Sequence, residues 1–205
     1  MLSNLFTVGF LTELLSSGLR MTTPILYTSL GEVFSERAGI TNIGLEGLMV
    51  MGAVSSFIGV SLTGSLLLGV LIAIACGVVV NALFAYCVIY RHSDQIVMGM
   101  ALNILAAGFA SFLYRAVFGI SQTPEKVAGF QSIHIPVLSD IPVIGPVIFS
   151  QNILLYLALV LVPVCGFVLF RTPFGLHLRS VGESPKAADS MGIKVYRMRF
   201  LGCVI

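Results

Sequence analysis

Long apolar runs divide this chain, and short polar breaks separate them. The runs cover about residues 5–34, 43–60, 66–90, 94–119 and 152–170, and a sixth begins near Val195 and reaches Ile205. Crossing hydrocarbon as a helix takes about 20 residues, so 66–90 and 94–119 are comfortable spans. The run 43–60 is short and opens with Gly44 and Gly47. The run 5–34 carries Glu13, Arg20, Pro24 and Glu32, which suits an interfacial helix feeding a span.

Composition agrees with the pattern. The 205 residues are 57% hydrophobic and 10% charged, with a mean hydropathy of +1.02. A soluble domain carries roughly 25% charged residues, so too few charges remain here to cover a water-facing surface. The expected class is an integral membrane protein. No long segment is polar enough to form a separate soluble domain, so residues 1–205 read as one transmembrane domain. The four cysteines (Cys76, Cys87, Cys165, Cys203) stand singly in or beside apolar runs, with no C-x-x-C pair. They suggest no metal site, redox motif or disulfide framework. The N-terminus lacks a basic region and a small-residue cleavage site, so no removable signal peptide is expected.

The net charge of +2 says little, but its distribution orients the chain. Lys and Arg concentrate in cytoplasmic loops. Six of the eleven basic residues lie in 171–199: Arg171, Arg179, Lys186, Lys194, Arg197 and Arg199. The turn Arg91-His92-Ser93-Asp94 lies two crossings earlier and returns to the same side. The stretch 120–151, whose single basic residue is Lys126, then lies outside. It carries Pro124, Pro136, Pro142 and Pro146, so an irregular cap is expected, either a plain lid or a docking place for a partner. Arg115 sits near the outer end of its helix, where snorkelling to the headgroups accommodates it.

One break is unusually polar. "ERAGITNIGLEG", residues 36–47, places Glu36, Arg37, Asn42 and Glu46 between two apolar runs, with glycines at 39, 44 and 47. Polarity at membrane depth is expensive and usually has a reason. Thr41 or Asn42 can cap the helix that follows. Glu46 then falls in its first turn, where the helix dipole favours a carboxylate. Two readings stand: an ordinary cytoplasmic turn, or the discontinuous helix that transporters use around a central site.

Small residues recur at every fourth position in two helices, as Ala73, Gly77, Asn81, Ala85 and as Gly99, Asn103, Ala107, Ser111. Such rows let helices approach closely in lipid. The alternative is that Asn81 or Asn103 faces a polar path. In the basic segment, Ser184 is a plausible N-cap with Pro185 at the first helical position. Lys186 to Ser190 form a short polar helix, and Gly192 stops it. A helix that short needs a partner surface, protein or anionic lipid, to stabilise it.

"FSERAGITNIGLEGLM", residues 34–49, "DQIVMGMALN", residues 94–103, and "TPFGLHLRSVGESPKAADSMGI", residues 172–193, together resemble the permease subunits of bacterial ABC importers. The branch is that of nucleosides and simple sugars, related to branched-chain amino-acid permeases. The resemblance implies an all-α fold, a polytopic transmembrane helix bundle with a discontinuous helix near 39–47 and a short cytoplasmic coupling helix. It places the ATPase-coupling segment on Gly182, Glu183, Ser184, Pro185, Lys186, Ala187, Ala188, Asp189 and Gly192. It makes Asn42, Glu46 and Asn103 the candidates for the solute path. It implies a nucleoside as cargo, a bacterial plasma-membrane location, and three protein partners: a cytoplasmic ABC ATPase, a second permease subunit and an extracytoplasmic solute-binding lipoprotein docking at 120–151. Membrane lipid is the other expected partner, and nucleic acid is not expected. Such permeases run longer, with further spans related to the first half by an internal repeat, so the chain is expected to be the N-terminal portion of such a domain.

No G-x-x-x-x-G-K-[ST] loop occurs, so ATP is expected to be used by the separate subunit and no cofactor by this one. His92, His134 and His177 are isolated and suggest no catalytic set, so the chain is not expected to be an enzyme. A simple sugar or other small metabolite remains the first alternative cargo. An ion-coupled secondary carrier is the second alternative, and it would need an ionisable group deep in a span. The runs 66–90 and 152–170 contain none.

Overall fold

A computed structural model of the chain describes residues 8–119, 127, 129–132 and 147–205. Most of the expected external cap, 120–126, 128 and 133–146, lies outside the described residues. The described helices are α1 (Val8–Arg37), α2 (Leu45–Thr63), α3 (Leu66–Tyr90), α4 (Gln95–Phe118), α5 (Ile153–Arg171), α6 (Pro173–Glu183), α7 (Pro185–Ser190) and α8 (Val195–Val204). Four of them, α2 to α5, are long and apolar enough to cross hydrocarbon. The fold is the expected all-α polytopic bundle. The interruption between α1 and α2 occupies 38–44, inside the expected break.

Contacts group into two compact units. The first takes residues 1–29 and 129–165. In it the buried Gln151 amide donates to Ser16 Oγ (2.8 Å) and to the Val147 carbonyl (2.8 Å), and accepts from Arg20 Nε (3.3 Å). Tyr27 donates to the Leu154 carbonyl at 2.7 Å.

The second unit, residues 30–128 and 166–205, holds the functional region. Its core joins Ile40 from the break, Phe84, Ala85, Val88 and Ile89 from α3, Leu102 from α4 and Cys203 from α8. Glycines set how closely its helices pack. A Cβ on Gly69 would lie 2.2 Å from Val60 Cγ2, and one on Gly59 would lie 2.8 Å from Ile72 Cδ1. So α2 and α3 meet almost backbone to backbone, as small residues permit in lipid. The i+4 row on α4 behaves differently. Gly99 is buried, but Ala107 and Ser111 are exposed, and the buried face runs Gly99, Leu102, Ala106, Ala110. A strict fourth-residue row turns about 40° per step around a 3.6-residue helix, so it winds off the contact face.

Aromatic rings cluster at two levels. Phe57, Tyr114 and Phe118 pack at centroid distances of 5.1–6.0 Å near the ends of α2 and α4. Tyr86, Tyr90, Tyr196 and Phe200 form a second cluster where α3 ends and α8 begins. Aromatic belts of this kind sit at the two membrane–water interfaces.

The basic segment is more ordered than one short helix. Thr172 Oγ1 accepts from the Gly175 N–H (3.3 Å) and starts α6 with Pro173 in its first turn. The expected short helix follows as α7. Ser184 is its N-cap without a side-chain cap bond, and Pro185 is its first residue. It closes at Gly192, whose φ of +83° suits glycine. There the Ile193 N–H reaches the Ala188 carbonyl (3.0 Å) and the Gly192 N–H the Asp189 carbonyl (2.9 Å), a Schellman stop.

Candidate functional site

The site is the break between α1 and α2, with α6–α7 against it. Helix α1 ends in a second Schellman stop: Ile40 N–H to the Ser35 carbonyl (3.1 Å), Gly39 N–H to the Glu36 carbonyl (2.9 Å), and Gly39 at φ +80°. The buried Ser35 hydroxyl also donates to the Ile40 carbonyl at 2.9 Å.

Backbone that leaves helix among packed helices needs partners for its polar groups. Four side chains supply them here. The Thr41 N–H donates to Gln95 Oε1 (2.8 Å), and the Asn42 N–H to Glu32 Oε1 (2.7 Å). The Gly44 N–H donates to Asn42 Oδ1 (2.8 Å), and the Gly47 N–H to Asn103 Oδ1 (2.7 Å). Asn103 Nδ2 completes the set by donating to the Ile43 carbonyl (3.2 Å). Asn103 on α4 thus caps α2 from another helix, while the N-cap residue itself is Gly44. The expected cap is Thr41 or Asn42, but Asn42 Oδ1 accepts from the N-cap residue Gly44, ahead of the helix, and Thr41 contributes only its main chain.

Asn42 is also buried, and its Nδ2 donates to Asn81 Oδ1 at 3.1 Å. Asn81 Nδ2 in turn donates to the Cys203 carbonyl on α8. A chain of amides therefore ties the break to α3 and α8. Glu46 stands apart: it is exposed in the first turn of α2 and has no hydrogen bond or ion pair among the described residues. The three candidate path residues thus lie within one turn-and-cap region. Asn42 and Asn103 have their amides engaged in the break, and Glu46 keeps an uncommitted carboxylate. Glu32 and Gln95, at sequence distances of 10 and 54 from their partners, escaped the sequence reading because no local pattern marks them.

Glycines fix the close fit. A Cβ on Gly44 would lie 2.6 Å from Leu102 Cδ2, and one on Gly99 would lie 2.9 Å from the Gly44 nitrogen. On the other side, Gly182 at the end of α6 meets the end of α1: a Cβ there would lie 2.3 Å from the Arg37 carbonyl oxygen and 3.1 Å from the Gly39 nitrogen. Arg37 and Arg179 also both stand over the Phe170 ring, 5.9 and 5.0 Å from its centroid.

Helix α7 is anchored by one residue. Ala188 is buried, while Glu183, Ser184, Lys186, Ala187, Asp189 and Gly192 are exposed, and Pro185 and Gly182 are half-buried. Met191, at the tip, is 81% exposed. The candidate coupling residues are thus brought together on one small projecting surface whose base rests on the break.

The sequence that builds this site has known relatives. Residues 14–205 match the family described as the branched-chain amino acid transport system permease component. The chain belongs to this family. It is 42% identical over 205 residues to the guanosine ABC transporter permease protein NupQ of Bacillus subtilis, covering 97% of this chain and 64% of that protein. It is 39% identical over 207 residues to the nucleoside ABC transporter permease protein NupC of Lactococcus lactis, covering 97% and 64%. It is 36% identical over 202 residues to the putative glucose ABC transporter permease protein TsgC13 of Haloferax volcanii, covering 97% and 60%. The chain therefore spans a little under two thirds of these curated relatives. No solved structure matches it. Family membership and four membrane-length apolar helices make this chain part of a multi-pass membrane protein.

Proposed function

We propose that this permease is one membrane subunit of an ATP-driven importer in the bacterial plasma membrane, and that its solute is a nucleoside. The similarity to the guanosine and nucleoside permeases over nearly the whole chain carries this reading. The structure supports it with a braced helix break, which leaves one carboxylate uncommitted, and with a projecting surface on the same unit.

Within this reading the break is the wall of the path. Asn42 and Asn103 hold its backbone open by taking up the freed N–H groups, and Glu46 offers a carboxylate to ribose hydroxyls or base N–H groups. The α7 surface, from Gly182 to Gly192 with Met191 at its tip, receives a cytoplasmic ABC ATPase. Because Gly182 rests directly on the end of α1, movement of α7 displaces the break. The chain itself carries out no chemistry and holds no cofactor, and ATP is consumed on the separate subunit. A second permease subunit completes the path. A solute-binding lipoprotein delivers the nucleoside at 120–151.

The glucose-permease relative supports a sugar as the second reading of the cargo. Calorimetric titration of the solute-binding lipoprotein that serves this importer, with guanosine, adenosine, ribose and glucose, separates the two. Nucleosides are expected to bind and free sugars are not. Binding of glucose alone would replace the nucleoside reading with the sugar one.

A further inference from the structure

The base of α7, which shares Pro185, Lys186 and Asp189 with the surface proposed to receive the ATPase, is also one wall of a cavity. It measures about 260 Å³ and lies between the α3–α4 turn and the α7–α8 segment. Its lining mixes polar side chains, His92, Gln95, Lys186, Asp189 and Arg199, with apolar ones that include Val88 and Ile89. We propose that this cavity binds the phosphodiester headgroup of a phospholipid of the cytoplasmic leaflet, held by Arg199 and Lys186.

Charge and hydrogen bonding point to the phosphodiester. Arg199 Nε is buried and has no hydrogen-bond partner among the described residues. A buried donor on a charged group is costly when left unmet, and a phosphate oxygen is the acceptor a guanidinium fits best. Neither Lys186 nor Arg199 makes an ion pair among the described residues, although Asp189 lines the same cavity. Among the lining side chains, two cations, Lys186 and Arg199, stand against one carboxylate, Asp189, a balance that matches a singly charged phosphodiester. Asp189 stands where it can take the amine of a zwitterionic headgroup.

Position points to lipid. Six basic residues place 171–199 on the cytoplasmic side, where pockets between helix ends take headgroups. The cavity-lining Tyr196 stacks on Tyr90 of α3 at 5.9 Å. From Tyr90 an exposed apolar stripe runs up α3 through Tyr86, Leu83 and Val79, spaced three and four residues apart on one helix face. That stripe gives an acyl chain a track leading away from the headgroup, which a free phosphate ion would not use.

The test is native mass spectrometry of the delipidated full-length protein in detergent. Short-chain phosphatidylglycerol, phosphatidylethanolamine and diacylglycerol are titrated separately, and so is inorganic phosphate. One phospholipid of either kind is expected to bind ahead of the rest, and diacylglycerol is not. Lys186→Gln, on an exposed helix face, is expected to weaken that first site about fivefold, and Lys186→Gln with Arg199→Gln more than about twentyfold, at roughly one cation's worth each. The single variant keeps the test decisive if the double variant fails to fold. Equal binding of phospholipid by wild type and Lys186→Gln overturns the proposal. So does equal binding of diacylglycerol, and so does binding of inorganic phosphate that phospholipid does not displace.

Discussion

Asn42 and Asn81 face each other across the α2 entrance, the Nδ2 of the first donating to the Oδ1 of the second at 3.1 Å. Because Asn42 also accepts from Gly44 and Asn81 also donates to α8, two linked amides join the break, α3 and α8. Asn42→Ala would remove both side-chain bonds and leave the Gly44 N–H and the Asn81 carbonyl oxygen unmet. Its expected cost is about 1–3 kcal/mol, seen as a lower thermal midpoint in detergent. An unchanged midpoint would mean that water replaces the amide.

Gly99 and Gly77 sit on neighbouring spans but in opposite surroundings. A Cβ on Gly99 meets the break at 2.9 Å, whereas one on Gly77 meets nothing within 4 Å. Gly99→Ala is expected to destabilise the protein by about 1–3 kcal/mol through overpacking. Gly77→Ala is expected to leave stability unchanged or raise it by up to about 1 kcal/mol, through better helix propensity. Paired melting curves compare them.

How far these features show in the sequence depends on their range. Hydrocarbon demands long apolar runs, so the spans at 66–90 and 95–118 are legible almost to the residue. Stops at Gly39 and Gly192 are legible because a left-handed residue there favours glycine. Helix α6 hides among basic residues, and its buried set Gly175, Leu178, Val181 covers only two turns. The braces of the break are invisible for a different reason. Glu32 and Gln95 meet it through tertiary folding, and no local pattern pairs them with it. Asn81 stands out locally in its row of small residues, but its partners Asn42 and Cys203 lie 39 and 122 residues away.

Gly182 links the projecting helix to the break with no side chain between. Gly182→Ala would drive a Cβ into the Arg37 carbonyl. In the assembled importer it is expected to cut uptake about tenfold or more while ATP hydrolysis persists, because a small misplacement of a coupled element is enough. Met191→Asp, at the exposed tip, is instead expected to reduce ATPase co-purification about tenfold, as loss of an apolar anchor does. Co-purification of both variants and uptake per ATP hydrolysed distinguish the two.

The orientation has its own check. Single cysteines in a cysteine-free background at His92 and at Asp189 are expected to react with an impermeant maleimide only after the cells are opened. One at Gly64, between α2 and α3, is expected to react in intact cells. Reaction of the Asp189 position from outside would invert the topology and remove the docking surface from the ATPase.

The most direct measurement is uptake of radiolabelled guanosine by cells that express the full-length permease together with its ATPase and lipoprotein partners and lack other nucleoside importers. Energy-dependent accumulation, competed by excess adenosine and untouched by excess glucose, is the expected result. No guanosine accumulation alongside energy-dependent glucose uptake would contradict a nucleoside permease.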